Sequence, residues 1–264
     1  MGFRNAFWAM MSVLPWVVGV PALHAYAAEH VVLYGDADYP PYSYVENGRF
    51  QGMYVDILQK AAKLLSPAYE VELIPVPWKR GLNYLETGEG FGLFPPGLKK
   101  ERTYIQSYSV PLYTEQVVVF CNDRVMKTKP QFFPNDFAGL TMGINAGFLL
   151  SDRLMQAVNS GIVKIEAGPS NDSNLRKLSV QRIDCFVSDR GTALYSAKQL
   201  RQNDNQFQFI PIEAAALSSE ETFIGYSAHA KPPYKADFIK KMDAALNALK
   251  SKGEVSKIIK EYLQ

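Results

Sequence analysis

The side chains able to do chemistry are spread along the chain in short loops, and their spacing removes whole classes of function. The three histidines, His24, His30 and His229, lie far apart, and Cys121 and Cys185 sit in separate segments with no CxxC pair. No cluster has the spacing of a metal centre, and no cofactor is expected. The loops of interest are Gly35-Asp36-Ala37-Asp38-Tyr39-Pro40-Pro41-Tyr42, Pro75-Val76-Pro77-Trp78-Lys79-Arg80 and Pro95-Pro96-Gly97-Leu98-Lys99-Lys100-Glu101-Arg102. Two more are Gly143-Ile144-Asn145-Ala146-Gly147 and Val187-Ser188-Asp189. Each follows an apolar run that reads as a strand. Open α/β sheets bind ligands beyond the carboxyl ends of their strands, where loops and helix N-termini converge, so these loops hold the candidate site.

The elements that position them alternate strand with helix. Val31 to Tyr34 reads as a buried strand, and Val55, Leu58, Ala62 and Leu65 fall on one helical face that Ser66-Pro67 ends. A second strand is expected at Val71 to Ile74, a helix from Trp78 to Glu86 and a third strand at Phe91 to Phe94, which completes a βαβαβ unit. The same grammar returns with strands at Leu140 to Ile144, Ile162 to Ile165 and Cys185 to Val187. Between these strands come a helix from Leu149 to Val158 and one carrying Leu175 and Leu178, capped near Asp172 or Ser173. Two α/β lobes follow. Val117 to Cys121 is a β-branched run suited to crossing between them, and the tail places Phe238, Met242, Ala245 and Leu249 on one helical face, breaks near Gly253 and restarts to Leu263.

Composition agrees with a folded, unspecialised surface. The 264 residues are 47% hydrophobic and 12% aromatic, and 28 Lys plus Arg against 26 Asp plus Glu give a formal charge of +2. That charge is too small to suggest nucleic acid or an anionic membrane as partner. The first 27 residues differ: one cation (Arg4), no acid, and a long apolar run ending in Ala25-Tyr26-Ala27. This is the pattern of a cleaved signal peptide. A transmembrane anchor needs about 20 apolar residues, but Pro15, Pro21 and the small-x-small ending favour cleavage after Ala27. Removing residues 1–27 takes Arg4 away and leaves 237 residues at a formal +1. With no cysteine at the end of the apolar run to carry lipid, the expected location is the periplasm.

The order of motifs resembles the family 3 periplasmic solute-binding proteins, receptors of polar amino acid ABC importers. The carriers of the resemblance are YPPYSYVENGRFQGMYVDIL, the segment ending in KKER followed by SYSVPLY, the RIDCFVSD strand and the closing amphipathic helix. It implies an α/β, two-lobed, Venus-flytrap fold of type II, each lobe a βαβ-type sheet flanked by helices. Lobe 1 would comprise residues 28–115 and 216–264, and lobe 2 the inserted residues 116–215. Arg102 matches the arginine that grips a ligand carboxylate, for which a guanidinium supplies two parallel hydrogen bonds. Asp189 matches the acid that receives an α-ammonium, and it can also cap the helix beginning near Arg190. Trp78 and Tyr39 match aromatics that sandwich the ligand side chain, a contact of about 0.5 to 2 kcal/mol. In the same fold Cys121 and Cys185 lie on neighbouring strands, either as a disulfide or as two small buried thiols.

Departures from the family pattern bear on the ligand. Ser and Thr hydroxyls usual before the arginine are replaced by Phe94-Pro95-Pro96-Gly97, and the position after the lobe 2 glycine is Phe148-Leu149. Proline donates no hydrogen bond, so donors must come from backbone NH groups at Gly97 and Leu98, from Asn145, or from Arg80, which reads equally as a solvated residue. The ligand is expected to be a polar amino acid, a small carboxylate or a short peptide, and the partner an ABC permease or a membrane signalling protein, with the receptor itself monomeric. An enzyme of the periplasmic dehydratase type would share the fold, and Glu101, Glu115 and Glu213 are the positions for its general acid. No motif marks any of the three, and the expectation is a binding protein rather than an enzyme.

Overall fold

The computed structural model describes residues 1–2, 28–146 and 151–263. The expected signal peptide therefore falls almost wholly outside the described residues, as do Gly147, Phe148 and Leu149. From the amino end the chain runs β1 (Glu29–Asp36), β2 (Asp38–Tyr39), β3 (Ser43–Glu46), β4 (Arg49–Gln51), α1 (Met53–Leu65), β5 (Tyr69–Val76), α2 (Trp78–Thr87), β6 (Gly92–Phe94) and β7 (Ile105–Tyr108). It continues with β8 (Tyr113–Cys121), α3 (Asp123–Met126), β9 (Thr141–Asn145), α4 (Asp152–Asn159), β10 (Lys164–Gly168), α5 (Asn171–Ser179), β11 (Cys185–Asp189), α6 (Arg190–Asn203) and β12 (Ile212–Thr222). β13 (Gly225–Ser227), α7 (Lys235–Ser251) and α8 (Glu254–Leu263) close it.

Two five-stranded sheets result, ordered β5-β1-β6-β13-β7 and β10-β9-β11-β8-β12, with a small β2-β3-β4 sheet beside the first. In each, the βαβ strands pair in parallel and the strands entering or leaving pair antiparallel. Both lobes are thus mixed α/β units. α1 forms because Met53, Ile57, Leu58, Ala61 and Leu65 repeat at helical spacing and bury against β1 and α7. It stops at Ser66, whose extended conformation is what a following proline requires. α2 ends at Gly88, left-handed at φ 81°, a conformation in which glycine bears no Cβ penalty. In the second sheet the period of two is plain: Val119 and Cys121 of β8 join the core on one face, Val118 and Phe120 the core on the other. A strand covered on both faces reads as an unbroken apolar run, which is what Val117 to Cys121 is.

Three expectations need correction. α4 starts at Asp152, capped by the Ser151 hydroxyl, and not at Leu149. α5 is capped by Ser170, whose Oγ accepts from the Ser173 NH, and not by Asp172 or Ser173. The second strand of the second unit begins at Lys164 rather than Ile162.

The positions 115/116 and 215/216 fall inside β8 and β12. These strands pair antiparallel along their whole length, from Ile212 opposite Cys121 to Thr222 opposite Tyr113, with two register shifts. Both chain connections between the sheets therefore lie in one hydrogen-bonded ribbon. At its cleft end Leu112 N donates to Thr222 O and Phe223 N to Pro96 O, which fastens it to the first sheet. At its far end Cys121 stands directly opposite Cys185, and the two sulfurs are bonded.

Candidate functional site

Beyond the carboxyl ends of β1, β5 and β6, three loops and the ribbon enclose a cavity of about 260 Å³. Tyr39, Trp78 and Arg102, on separate loops of the first sheet, all line it, with Lys99 and Gly97 between them. Trp78 opens α2 directly after Pro77, so the helix start holds the indole at the mouth. Arg102 is fixed by the turn in which its NH donates to Lys99 O. Its Nη1 donates to Gly97 O at 3.1 Å, and the guanidinium carbon lies 5.5 Å from the Trp78 ring centroid, a cation–π contact. Nη2 and Nε make no hydrogen bond among the described residues, which leaves one edge of the fork for a carboxylate. Lys99 is paired at the rim with Glu220, 2.9 Å away.

The polar centre of the cavity is Glu115, near the start of β8. Tyr39 donates its hydroxyl to Oε2 at 2.6 Å and Tyr54 donates to Oε1 at 2.7 Å. Thr222 Oγ1, across the ribbon, lies 2.7 Å from the Tyr54 hydroxyl. Burial, followed by the charge of Asp189, pushes the Glu115 carboxyl up to about 7, while the two phenol hydrogen bonds act in the opposite direction. Where the Pro95-Pro96 segment offers no hydroxyl, the cavity lining carries two from elsewhere, Tyr39 of β2 and Thr222 of β12, both engaged with the Glu115 network.

Asp189 ends β11 and caps α6, its Oδ1 accepting from Thr192 N at 2.8 Å. The same oxygen accepts from the Tyr42 hydroxyl at 2.8 Å, a direct bond from the first unit to the second. Burial raises its pKa, and the Thr192 and Tyr42 hydrogen bonds oppose the rise. Asp189 faces a second cavity of about 400 Å³, whose walls are Asp38, Tyr39 and Pro40 on one side and Asn171 and Thr192 on the other. Tyr39 is the partition between the two cavities. The close approach of Tyr42 requires glycine at 191, where a Cβ would fall 2.3 Å from the phenol oxygen. Tyr44 and Tyr195, with hydroxyls 3.0 Å apart, add a second contact across the cleft.

Of the six residues expected from sequence, Tyr39, Trp78 and Arg102 meet in the first cavity, and Asp189 meets Tyr39 in the second. Asn145 lines neither: its Nδ2 donates to Asn171 Oδ1 at 2.7 Å and its Oδ1 accepts from Asn174, so it stands behind Asn171 in the wall. Arg80 is exposed and lines neither cavity. Sequence reasoning placed Glu115 only among candidate acids for an enzyme, and did not single out Tyr42 or Tyr54 at all. An acid just ahead of an apolar strand reads as a solvated edge residue, and nothing local distinguishes it. The tyrosines lie in the quoted YPPY and MYVDIL segments, but their partners are 147 and 61 residues away in sequence.

Two mixed α/β sheets joined by a double-stranded ribbon, with polar loops facing across a cleft, define a two-lobed solute-binding protein. The chain belongs to the bacterial extracellular solute-binding proteins, family 3, whose pattern matches residues 31–264. It is similar in fold to the second substrate-binding domain of Lactococcus lactis GlnP in its open conformation (TM-score 0.72, 16% identity, 89% of this chain and 95% of that one). It is also similar to a polar amino acid ABC uptake transporter substrate-binding protein from Streptococcus thermophilus (TM-score 0.69, 22% identity, 89% and 86% covered). A comparison with curated proteins gives no match.

Proposed function

We propose that the protein is exported to the periplasm by cleavage after Ala27, closes on a polar amino acid or related small carboxylate, and delivers it to the permease of an ABC importer. The observation that carries this reading is the convergence of Arg102, Trp78 and Tyr39, from three loops, on one cavity of about 260 Å³. A guanidinium stacked on an indole keeps its charge and presents a flat edge, which suits a carboxylate and is wasted on a neutral solute. Tyr42 and Asp189, already in contact across the cleft, give the closed arrangement part of its stability, and a bound solute adds the rest. No bond is made or broken in this cycle.

The test is a thermal-shift screen of residues 28–264 against the proteinogenic amino acids, small dicarboxylates and dipeptides. A ligand at 100 times its dissociation constant stabilises by about 2.7 kcal/mol. Arg102→Ala is expected to abolish that shift and leave the ligand-free melting temperature nearly unchanged, and Arg102→Lys to weaken it. A ligand bound equally well by Arg102→Ala refutes the assignment.

A further inference from the structure

We infer that Glu115, and not Asp189, receives the positively charged nitrogen of the ligand, so that the first cavity takes a zwitterion with its carboxylate on Arg102 and its ammonium on Glu115. The inference deepens the function proposed above and rests on it for the role of Arg102.

Glu115 and Arg102 line the same cavity, whereas Asp189 lines the neighbouring one, beyond Tyr39. Asp189 is already committed both within its own lobe and across the cleft. One of its oxygens serves both the α6 N-terminus, through Thr192 N, and the Tyr42 hydroxyl. Each oxygen of Glu115 accepts one phenol hydrogen bond. A carboxylate has roughly four lone-pair sites, so about two remain, on the face toward the cavity. Two phenol donors also suit an ionised acceptor better than a protonated one.

The charges around Glu115 make it a receptor for cations in particular. Asp36 and Tyr39 reach the cavity from the first loop, and Tyr54 on α1 donates to Glu115. Glu220 and Thr222 come from the facing strand, with Glu220 directly opposite Glu115 in register. Asp189 adds its charge from the end of β11. Lys99 pairs with Glu220 and Arg190 with Glu213 and Gln116, while Arg102 stacks on the Trp78 ring and keeps one edge for the ligand carboxylate. Glu115 thus faces acids on two sides and has no cation bound to it among the described residues. A proton relieves that repulsion in the free protein, and a ligand ammonium relieves it in the complex. Proton and ligand compete for the same lone pairs, so binding expels one proton wherever Glu115 is protonated beforehand.

The experiment uses residues 28–264, their Glu115→Gln and Asp189→Asn variants, and calorimetric titration with the proteinogenic amino acids, ornithine, succinate and glutarate at pH 6 and pH 8. With Glu115 half-protonated near 7, affinity for the best amino acid is expected to rise about tenfold from pH 6 to pH 8. At pH 6 the heat should change between phosphate and Bis-Tris buffers, which differ in ionisation enthalpy, by the amount for close to one released proton. Glu115→Gln should remove the pH dependence and weaken binding at pH 8, whereas Asp189→Asn should keep binding at pH 8 and keep a pH dependence whose midpoint moves down, because the Asp189 charge helps to raise the Glu115 pKa. The inference is overturned if Asp189→Asn loses the pH dependence while Glu115→Gln keeps it, if affinity is flat with pH, or if succinate or glutarate binds best. In the last two cases an Arg102→Ala variant that no longer binds leaves the carboxylate reading intact. Failure of every probe to bind overturns both.

Discussion

Glu115 also makes a prediction about the ligand-free protein that needs no knowledge of the ligand. Its carboxyl titrates near 4.5 in an unfolded chain and is pushed up to about 7 in the folded one. A raised carboxyl pKa means that the folded state holds the proton more tightly, so this group stabilises the fold at low pH and loses that contribution as pH rises from 4.5 toward 7. From those two values the loss between pH 5 and pH 8 amounts to about 2.5 kcal/mol. Glutamine keeps the size and can still accept one of the two phenol hydrogen bonds through its single oxygen, its NH2 donating to the other phenol oxygen, and it has no proton to lose. The tyrosines coupled to Glu115 titrate above this pH range, so the difference between the two proteins reports Glu115 together with its coupling to Asp189. Urea unfolding of wild type and Glu115→Gln at pH 5, 6, 7 and 8 should therefore show the variant gaining on wild type by about 2.5 kcal/mol across the series. For a chain of this length that corresponds to roughly 5 to 10 °C in melting temperature. Parallel pH profiles would show that Glu115 titrates alike in folded and unfolded chains, and would remove the crowding of acids on which its cation-receiving role rests.

Two further outcomes follow from the cleft and the ribbon. Gly191→Ala puts a methyl group where the Tyr42 phenol oxygen lies and should break the Tyr42–Asp189 bond, worth about 1.5 to 3 kcal/mol as a hydrogen bond to a charged acceptor. Small-angle scattering should then give a larger radius of gyration without ligand, and an unchanged radius would mean that this contact does not hold the cleft closed. Protein unfolded without reductant should titrate no free thiols. Replacing Cys121 and Cys185 by serine should cost about 4 kcal/mol for a loop of this length, with affinity untouched, and two titratable thiols would refute the bridge.

Much of the scaffold was legible because its signals are local. Apolar runs in β1, β5, β9 and β11 and the i, i+3, i+4 spacing in α1 and α7 report burial directly, and the Ser66-Pro67 stop is written in two residues. β12 was not legible. Its sequence IEAAALSSEET is largely exposed, poor in β-branched residues and acidic, and it is a strand only because β8 offers it an edge. Tertiary pairing here overrides weak propensity. The β3–β4 hairpin carried the signal that escaped notice, Asn47-Gly48 with both residues at positive φ. In the site, residues on loops after strands were found, because sheet topology says where such loops go. Glu115 and Thr222 were not recognised as site residues, because they reach the cavity from the two strands that connect the sheets, and their position depends on the register between segments more than a hundred residues apart.

That ribbon carries one more consequence. Between Val117 and Cys121, β8 is held on both sides, by β11 and by β12, and the disulfide staples it at the far end. Between Tyr113 and Gln116 only β12 holds it. Any swing of one sheet against the other has to be absorbed in those few residues, and Glu115 is among them. The side chain that would sense occupancy is therefore mounted on the axle itself. A change in its charge state would act directly on the strand that joins the lobes, without passing through any intermediate chain of contacts, much as a strain gauge glued to a hinge pin reads the door.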